Sequence, residues 1–158
     1  MSTMTWYLVS FLVLAAANSN VLVTADCPDG WMKHQQCYLF SHDKLSWTGA
    51  IVMCKLLGGY LAEVQSESEK TFLDTMAHQI NNHFWIGAHD SVQEGSFVWA
   101  TSREPVSVQH FLHTPDNYGN NEGCVEIDSN GEWNDNNCMT AFQYICERPA
   151  VGEELIGR

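Results

Sequence analysis

The sequence predicts an α+β domain in which two helices are followed by antiparallel strands and one long loop. Two apolar patterns with a period near 3.6 residues precede Phe84, and short or alternating apolar runs bounded by turn residues follow it. All six cysteines lie after residue 26. An even number of cysteines in one short domain indicates a disulfide framework.

The first 25 residues are expected to form a signal peptide that is absent from the working domain. The apolar run at residues 6–17 is too short to span a membrane, and residues 23–25 offer small side chains for signal peptidase. The expected organisation is a signal peptide at 1–25, one domain at 26–150 and a short tail at 151–158. We therefore expect a secreted, extracellular protein without membrane insertion.

A strongly acidic composition limits the classes of partner. The formal net charge is −12, and residues 1–25 carry no charged side chain, so this charge belongs to the domain and tail. Nucleic acids and anionic membranes require patches of Lys and Arg, which such a composition does not favour. Cations and neutral ligands remain as suitable partners.

The first elements are a β-hairpin and a helix. Turn residues followed by a short apolar run predict the hairpin over residues 27–40. Ser46 is the predicted N-cap of a helix that ends near Leu57, before the glycine pair 58–59. One face of this helix carries Trp47, Ile51 and Cys54.

A capping box predicts the second helix over residues 67–80. Ser66 and Glu69 form the Ser-x-x-Glu pattern in which each side chain satisfies a backbone N–H at the helix start. The predicted apolar stripe of this helix comprises Phe72, Leu73, Met76 and Ile80.

Strands are predicted where the apolar period changes, at residues 84–87, 97–99, 124–127, 132–134 and 142–146. Trp85, Trp99 and Trp133 fall inside these patterns and are expected in the core. Between them, residues 101–123 form a long stretch rich in Asn, Gly and Pro. A loop of that length in a compact domain is either functional or disordered.

Several motifs, in this order, resemble those of the C-type lectin-like domain family, from Cys27 to about Arg148. They are Cys27-Pro28-x-Gly30-Trp31, Cys54, Gly59-Tyr60-Leu61-Ala62, Trp85-Ile86-Gly87, Trp133-Asn134-Asp135 and Tyr144-Ile145-Cys146-Glu147. Counting alone leaves about 15 pairings of six cysteines open. The resemblance implies a C-type lectin-like fold with the pairs Cys27–Cys37, Cys54–Cys146 and Cys124–Cys138.

The resemblance also implies a site for calcium and sugar. Sugar-binding members hold one Ca²⁺ with a Glu-Pro-Asn or Gln-Pro-Asp triplet, a following Glu and an Asn-Asp pair. Carried over, the metal ligands are Asp116, Glu122, Asn134 and Asp135, with Thr114 at the first triplet position. Oxygen-rich sets of this kind suit Ca²⁺, which takes six to eight oxygen ligands. Pro115 is expected in the cis form, which costs little for proline.

The triplet of this chain departs from the family pattern at Thr114. Its shorter side chain offers one hydroxyl oxygen in place of Glu or Gln, so weak calcium binding is expected, at or beyond about 10⁻⁴ to 10⁻³ M. A neutral donor followed by Asp116 has the polarity of the galactose-type triplet. Tyr118 lies two residues after Asp116, where galactose-binding members of this family often have Trp, and the resemblance therefore implies an aromatic ring that covers the apolar face of galactose. The residues expected to bind carbohydrate are Thr114, Asp116, Tyr118, Glu122, Asn134 and Asp135.

The family spacing suggests an auxiliary calcium site as well. Asp90 and Glu94 follow the Trp85-Ile86-Gly87 motif at the corresponding distance, and Glu122 is a candidate shared ligand. Asn117 and Gly123 argue against this second ion, because members with two ions often have acidic residues there.

Enzymatic chemistry is not expected. Seven histidines form no His-Glu-x-x-His pattern, and His110 and His113 precede a proline loop, so solvent exposure is the expectation. No Ser/His/Asp arrangement or phosphate-binding glycine loop is recognisable.

Two function classes remain. The first is a secreted, calcium-dependent lectin for microbial or self glycans, leaning to galactose or N-acetylgalactosamine and serving innate recognition. The second is a calcium-independent protein-binding or structural module on the same fold, and assembly into a homo-oligomer is left open.

Overall fold

The computed structural model describes residues 26–107, 111 and 115–150, and these residues form an α+β fold. Two α-helices and eight short strands are present in this part of the chain. In order they are β1 (Met32–Lys33), β2 (Cys37–Phe40), α1 (Trp47–Leu56), β3 (Tyr60–Leu61), α2 (Glu67–Ile80), β4 (Phe84–His89), β5 (Val98–Trp99), β6 (Cys124–Ile127), β7 (Trp133–Asn136) and β8 (Gln143–Arg148). The predicted fold class and both helices are confirmed.

Side-chain caps explain where the helices begin. The Ser46 hydroxyl accepts a hydrogen bond from the Gly49 N–H at 3.3 Å, and the Ser66 hydroxyl accepts one from the Glu69 N–H at 3.2 Å. Asn81 ends α2 in the left-handed conformation, with φ of 58°, which Asn tolerates better than most residues.

The predicted apolar stripe of α2 needs one correction. Ile80 is 41% exposed, and the buried positions of α2 are Glu69, Leu73 and Ala77. Glu69 can be buried because its carboxylate accepts hydrogen bonds from the Tyr38 hydroxyl at 2.5 Å and the Gln65 N–H at 2.7 Å. The stripe therefore lies nearer the start of the helix than the apolar side chains suggested.

The sheet is mixed, which corrects the expectation of purely antiparallel pairing. Its main path runs β1-β2-β8-β4-β6-β7, with β3 added to β8 and β5 to β4. All pairs are antiparallel except β4 with β8, which run parallel. Parallel neighbours require a long connection, and here β5, β6 and β7 lie between them in the sequence. The apolar periodicity of a strand does not indicate whether its neighbour in the sheet runs parallel or antiparallel to it.

Aromatic residues dominate the core, as predicted for three of the tryptophans. Trp85, Trp99 and Trp133 are all buried, and Trp99 and Trp133 pack edge to face at 6.0 Å between ring centroids. Phe111, from the long loop, also contacts Trp133, at 5.9 Å. The loop therefore contributes to the core.

The three disulfides confirm the implied pairing. Cys27–Cys37, Cys54–Cys146 and Cys124–Cys138 join residues that are 10, 92 and 14 positions apart. The predicted signal peptide and tail lie outside the described residues, and those predictions stand untested. Within the described residues, no helix has the length and apolar character needed to cross a membrane.

Candidate functional site

Three carboxylates from separate parts of the sequence meet beside β7. One oxygen of each of Asp116, Glu122 and Asp135 lies within 4.8 Å of the others. Asp116 and Glu122 belong to the long loop, and Asp135 lies on β7. The Cys124–Cys138 disulfide joins the first residue of β6, directly after that loop, to the segment after β7. These are three of the residues expected to bind calcium, and the structure brings them together.

Hydrogen bonds from the backbone hold the carboxylates in place. The Asn117 N–H donates to Asp135 Oδ2 at 2.9 Å, and the Tyr118 N–H donates to Glu122 Oε2 at 2.7 Å. In return, the Glu122 N–H donates to Asn117 Oδ1 at 3.0 Å. Asn117, directly before the 3₁₀ turn Tyr118–Asn120, and Asn120, its last residue, are both left-handed, with φ of 43° and 55°. Asn accepts this conformation at low cost, which accounts for the Asn-rich sequence.

The electrostatics of the cluster suit a cation. Asp135 is 1% exposed, and its Oδ1 atom has no hydrogen-bond partner among the described residues. Loss of solvation raises the pKa of Glu122, and the nearby charges of Asp135 and Asp116 add to this, although the Tyr118 N–H opposes it. A buried carboxylate oxygen without a partner is costly unless a positive group compensates it. The donor set therefore fits a hard cation such as Ca²⁺.

Asn134 precedes the buried carboxylate on β7 and is exposed. Its amide nitrogen donates to the Asp135 carbonyl oxygen at 2.7 Å, which leaves the amide oxygen as a candidate ligand. Thr114 lies outside the described residues. The same holds for the peptide bond that joins it to Pro115, so the cis prediction stands untested.

The auxiliary pair Asp90 and Glu94 lines a polar cavity that Glu122 also lines, with a volume of about 330 Å³. Asp90 is buried, and its Oδ2 atom accepts a hydrogen bond from the Gly95 N–H at 2.8 Å. A side chain at Gly123 would begin 3.1 Å from Asp90 Oδ1, so glycine permits the close approach of loop and carboxylate. Partial desolvation and the charges of Asp90 and Asp135 raise the pKa of Glu94.

Sequence reasoning missed two features of this region. Asn117 was an argument against a second ion, but its backbone and side chain position both Asp135 and Glu122. The Asn-rich composition of the loop was the available signal. Buried carboxylates elsewhere in the domain were missed as well, namely Glu63, Glu69, Glu126 and Glu147.

The fold is that of a carbohydrate-binding family of domains. The family "Lectin C-type domain" matches residues 43–148. The chain belongs to this family. Its fold and family are those of carbohydrate-binding domains without enzymatic activity, so the expectation that the protein is not an enzyme is confirmed.

Curated relatives include proteins of different lengths. The chain is 33% identical over 140 residues to a perlucin-like protein of Mytilus galloprovincialis, covering 84% of this chain and 90% of that protein. It is 34% identical over 137 residues to human asialoglycoprotein receptor 2, covering 80% of this chain and 43% of the receptor. The chain therefore corresponds to less than half of the receptor.

Solved structures share the fold. The cow CD23 carbohydrate-recognition domain, determined in the presence of GlcNAc2Man3 oligosaccharide, is 30% identical, with a TM-score of 0.73 over 80% of this chain and 98% of that one. A calcium-independent type II antifreeze protein is 26% identical, with a TM-score of 0.68 over 79% of this chain and 95% of the other. C-type lectin domains generally bind Ca²⁺, but this relative shows that the fold does not require it.

Proposed function

We propose that this protein is a secreted lectin that binds glycans through a calcium ion held by Asp116, Glu122, Asn134 and Asp135. The observation that carries the proposal is the Asp135 Oδ1 atom, which is buried without a partner among the described residues and lies in a cluster of three carboxylates. These residues would hold the ion, and the bound ion would provide a Lewis acid that sugar hydroxyl groups can coordinate. The surrounding side chains accept hydrogen bonds from those hydroxyls.

A galactose-type ligand is the finer part of the proposal. Tyr118 is 80% exposed, and the hydrogen bond from its backbone N–H to Glu122 holds the residue next to the carboxylate cluster. An exposed ring at this place suits the apolar face of galactose or N-acetylgalactosamine. Similarity to an asialoglycoprotein receptor supports this choice, whereas the CD23 domain was determined with a mannose-containing oligosaccharide. Recognition of microbial or self glycans in innate defence is the biological role that we propose.

An auxiliary calcium ion at Asp90 and Glu94 is the second part of the proposal. The raised pKa of Glu94, next to two other carboxylates, supports it because a cation would relieve this repulsion. Glu122 lines the same cavity and is the candidate shared ligand.

The alternative function is a calcium-independent protein-binding or structural module. Similarity to the calcium-independent antifreeze protein favours it, together with Thr114 in place of Glu or Gln. In that case the carboxylate cluster would be a remnant of a calcium site, and adding calcium would not stabilise the folded protein.

Thermal unfolding with calcium or chelator separates the two functions. A ligand selective for the folded state stabilises it by about 1.4 kcal/mol at ten times its dissociation constant. We expect millimolar calcium to raise the Tm of the wild type and of the control Glu132→Gln, which changes an acid outside the cluster. Glu122→Gln should abolish the increase.

A glycan array with calcium or chelator then tests the ligand. Calcium-dependent binding of galactose-terminated glycans would support the lectin. An unchanged Tm in all three proteins at millimolar calcium would instead favour the calcium-independent module.

A further inference from the structure

A second cavity, separate from the acidic loop site, lies between α1, β3, the end of β4 and the turn after β5. Its volume is about 380 Å³, which is within the range of small-molecule sites. The apolar part of its lining comes from Trp47, Ile51, Leu61 and Ala100. Cavities with an apolar lining and a few polar groups are the usual form of ligand site.

The charge of this lining is opposite to that of the protein as a whole. The chain has 7 Lys and Arg against 19 Asp and Glu, yet both Lys55 and Arg103 line the cavity and no carboxylate does. Neither cation forms an ion pair with any described residue. Both side chains are exposed, so an anionic group at the cavity would meet two solvated positive charges that no described carboxylate pairs with.

Arg103 has a left-handed backbone conformation, which is unusual for an arginine. Its φ is 66°, in the left-handed region that Gly and Asn adopt at lower cost. The turn is closed by the Arg103 N–H, which donates to the Trp99 carbonyl oxygen at 3.1 Å. Strained positions of this kind concentrate at binding sites, and here the strain places a guanidinium at the cavity.

Buried hydrogen bonds make the inner wall rigid. The Trp47 indole Nε1–H donates to the Ile86 carbonyl oxygen at 2.8 Å, and the Trp47 ring lies 5.0 Å from the His89 ring. His89 is 5% exposed, contrary to the expectation of exposed histidines, and its Nδ1 atom lies 2.7 Å from the Ser91 hydroxyl.

Two buried carboxylates near the cavity are already satisfied. Glu63 accepts hydrogen bonds from the N–H groups of Thr101 and Ser102. Glu147 accepts a hydrogen bond from the Tyr60 hydroxyl. Burial raises the pKa of Glu147 to about 8, so its carboxyl group is mostly uncharged at pH 7. Neither residue competes for Lys55 or Arg103.

We propose that this cavity binds a small organic anion, whose acidic group contacts Lys55 and Arg103 and whose flat apolar body packs on Trp47. The site is independent of the proposed calcium site, because none of the calcium ligands lines it. The protein thus has a second ligand site of opposite charge preference.

The test is an NMR titration of the ¹⁵N-labelled protein with phenyl sulfate, followed at the Trp47 indole N–H. We expect a saturable shift below about 10 mM, a range typical of weak small ligands. Lys55→Gln and Arg103→Asn should each weaken binding by roughly fivefold, because each removes one charge-assisted contact. Asn is chosen at 103 because it accepts the left-handed backbone.

Matched controls separate this site from general effects. Lys44→Gln removes an exposed lysine that does not line the cavity, and it should leave binding unchanged. Glu122→Gln and chelator should also leave it unchanged, which distinguishes this proposal from the calcium-dependent function. The proposal is overturned if no saturable shift occurs, if both cavity variants bind as the wild type, or if phenol or inorganic sulfate alone binds as tightly as phenyl sulfate.

Discussion

At the scale of single residues, we expect Asp135 to affect the stability of the fold in opposite directions with and without a cation. One oxygen accepts the Asn117 N–H, and the other is buried without a partner among the described residues, near Asp116 and Glu122. In the absence of a cation, this arrangement places the buried Asp135 carboxylate next to the like charges of Glu122 and the exposed Asp116. The same arrangement is favourable once a cation is bound.

Asp135→Asn should therefore change stability in opposite directions in the two conditions. In chelator the variant should be more stable than the wild type by about 1 kcal/mol, because one of three repelling charges is gone and the new amide faces two carboxylates. In millimolar calcium the wild type should become the more stable protein. Urea unfolding under both conditions measures the change, and equal differences in both would contradict a cation at this site.

Tyr118→Ala should weaken galactose binding and leave calcium binding intact. Its side chain is 80% exposed, and a stacked aromatic contributes about 1 kcal/mol beyond area burial. Tyr118→Phe is the control, because it retains the ring and should bind like the wild type. Calorimetric titrations with galactose and with calcium check both expectations, and an equal loss in the two variants would assign the effect to the hydroxyl group.

The sequence predicted the three clustered carboxylates better than the residues that position them. Asp116, Glu122 and Asp135 are recognisable because the motif order and the Cys124–Cys138 pair bring them together. The part played by Asn117 depends on a left-handed turn and on which N–H faces which oxygen. Such details follow from the path of the backbone, which residue types alone do not define.

At the scale of elements, β3 and β8 share a buried carboxyl group. Tyr60 pairs with Glu147 across the two strands, and its hydroxyl donates to Glu147 Oε1 at 3.0 Å. The Glu63 N–H donates to the other oxygen at 2.9 Å. Burial raises the pKa of Glu147 to about 8, and the charges of Glu69 and Glu63 add to the effect while these hydrogen bonds oppose it.

This pKa predicts that stability falls as the pH rises. Between the ordinary value of 4.5 and about 8, the folded protein retains a proton at Glu147 that the unfolded chain has released. The contribution of Glu147 to the free energy of unfolding therefore decreases with pH across this window, by on the order of 4 to 5 kcal/mol. Glu147→Gln should remove that part of the slope. Unfolding in chelator at pH 5, 6.5 and 8 measures it, and parallel profiles for variant and wild type would contradict the shift.

Helix boundaries were predictable, whereas strand direction and the buried face of α2 were not. Ser46 and Ser66 mark the helix starts through local hydrogen bonds that the sequence displays directly. The burial of Glu69 depends on Tyr38, 31 residues away, and the parallel pairing of β4 with β8 depends on the whole intervening chain. The burial of Glu69 and the direction of β8 relative to β4 are therefore both determined by residues that are far apart in the sequence.

At the scale of the whole molecule, the disulfides differ mainly in the length of chain that they close. Cys54–Cys146 joins α1 to β8 across 92 positions, whereas Cys27–Cys37 spans 10. In the chain-entropy description, the longer loop should contribute about 2 kcal/mol more. The resemblance to a family supplied this pairing, since counting left many open.

Paired alanine variants test the difference. Replacing Cys54 and Cys146 together should lower the free energy of unfolding by about 4 to 5 kcal/mol, and replacing Cys27 and Cys37 by about 2 to 3 kcal/mol. Urea unfolding of both double variants under identical conditions gives the comparison. Equal losses would mean that loop length does not determine the contribution of these bonds.

The position of β8 has a consequence for how the protein is made. This strand pairs with β2, β3 and β4, but it follows all of them in the sequence. During synthesis those strands cannot complete their pairing until Gln143–Arg148 has left the ribosome, and Cys54 cannot form its native disulfide until Cys146 has been added to the chain. We therefore expect folding to be completed only after translation has passed β8, with thiol exchange correcting early pairs that Cys54 forms with the first cysteines. A nascent chain stalled before β8 should accordingly remain sensitive to protease.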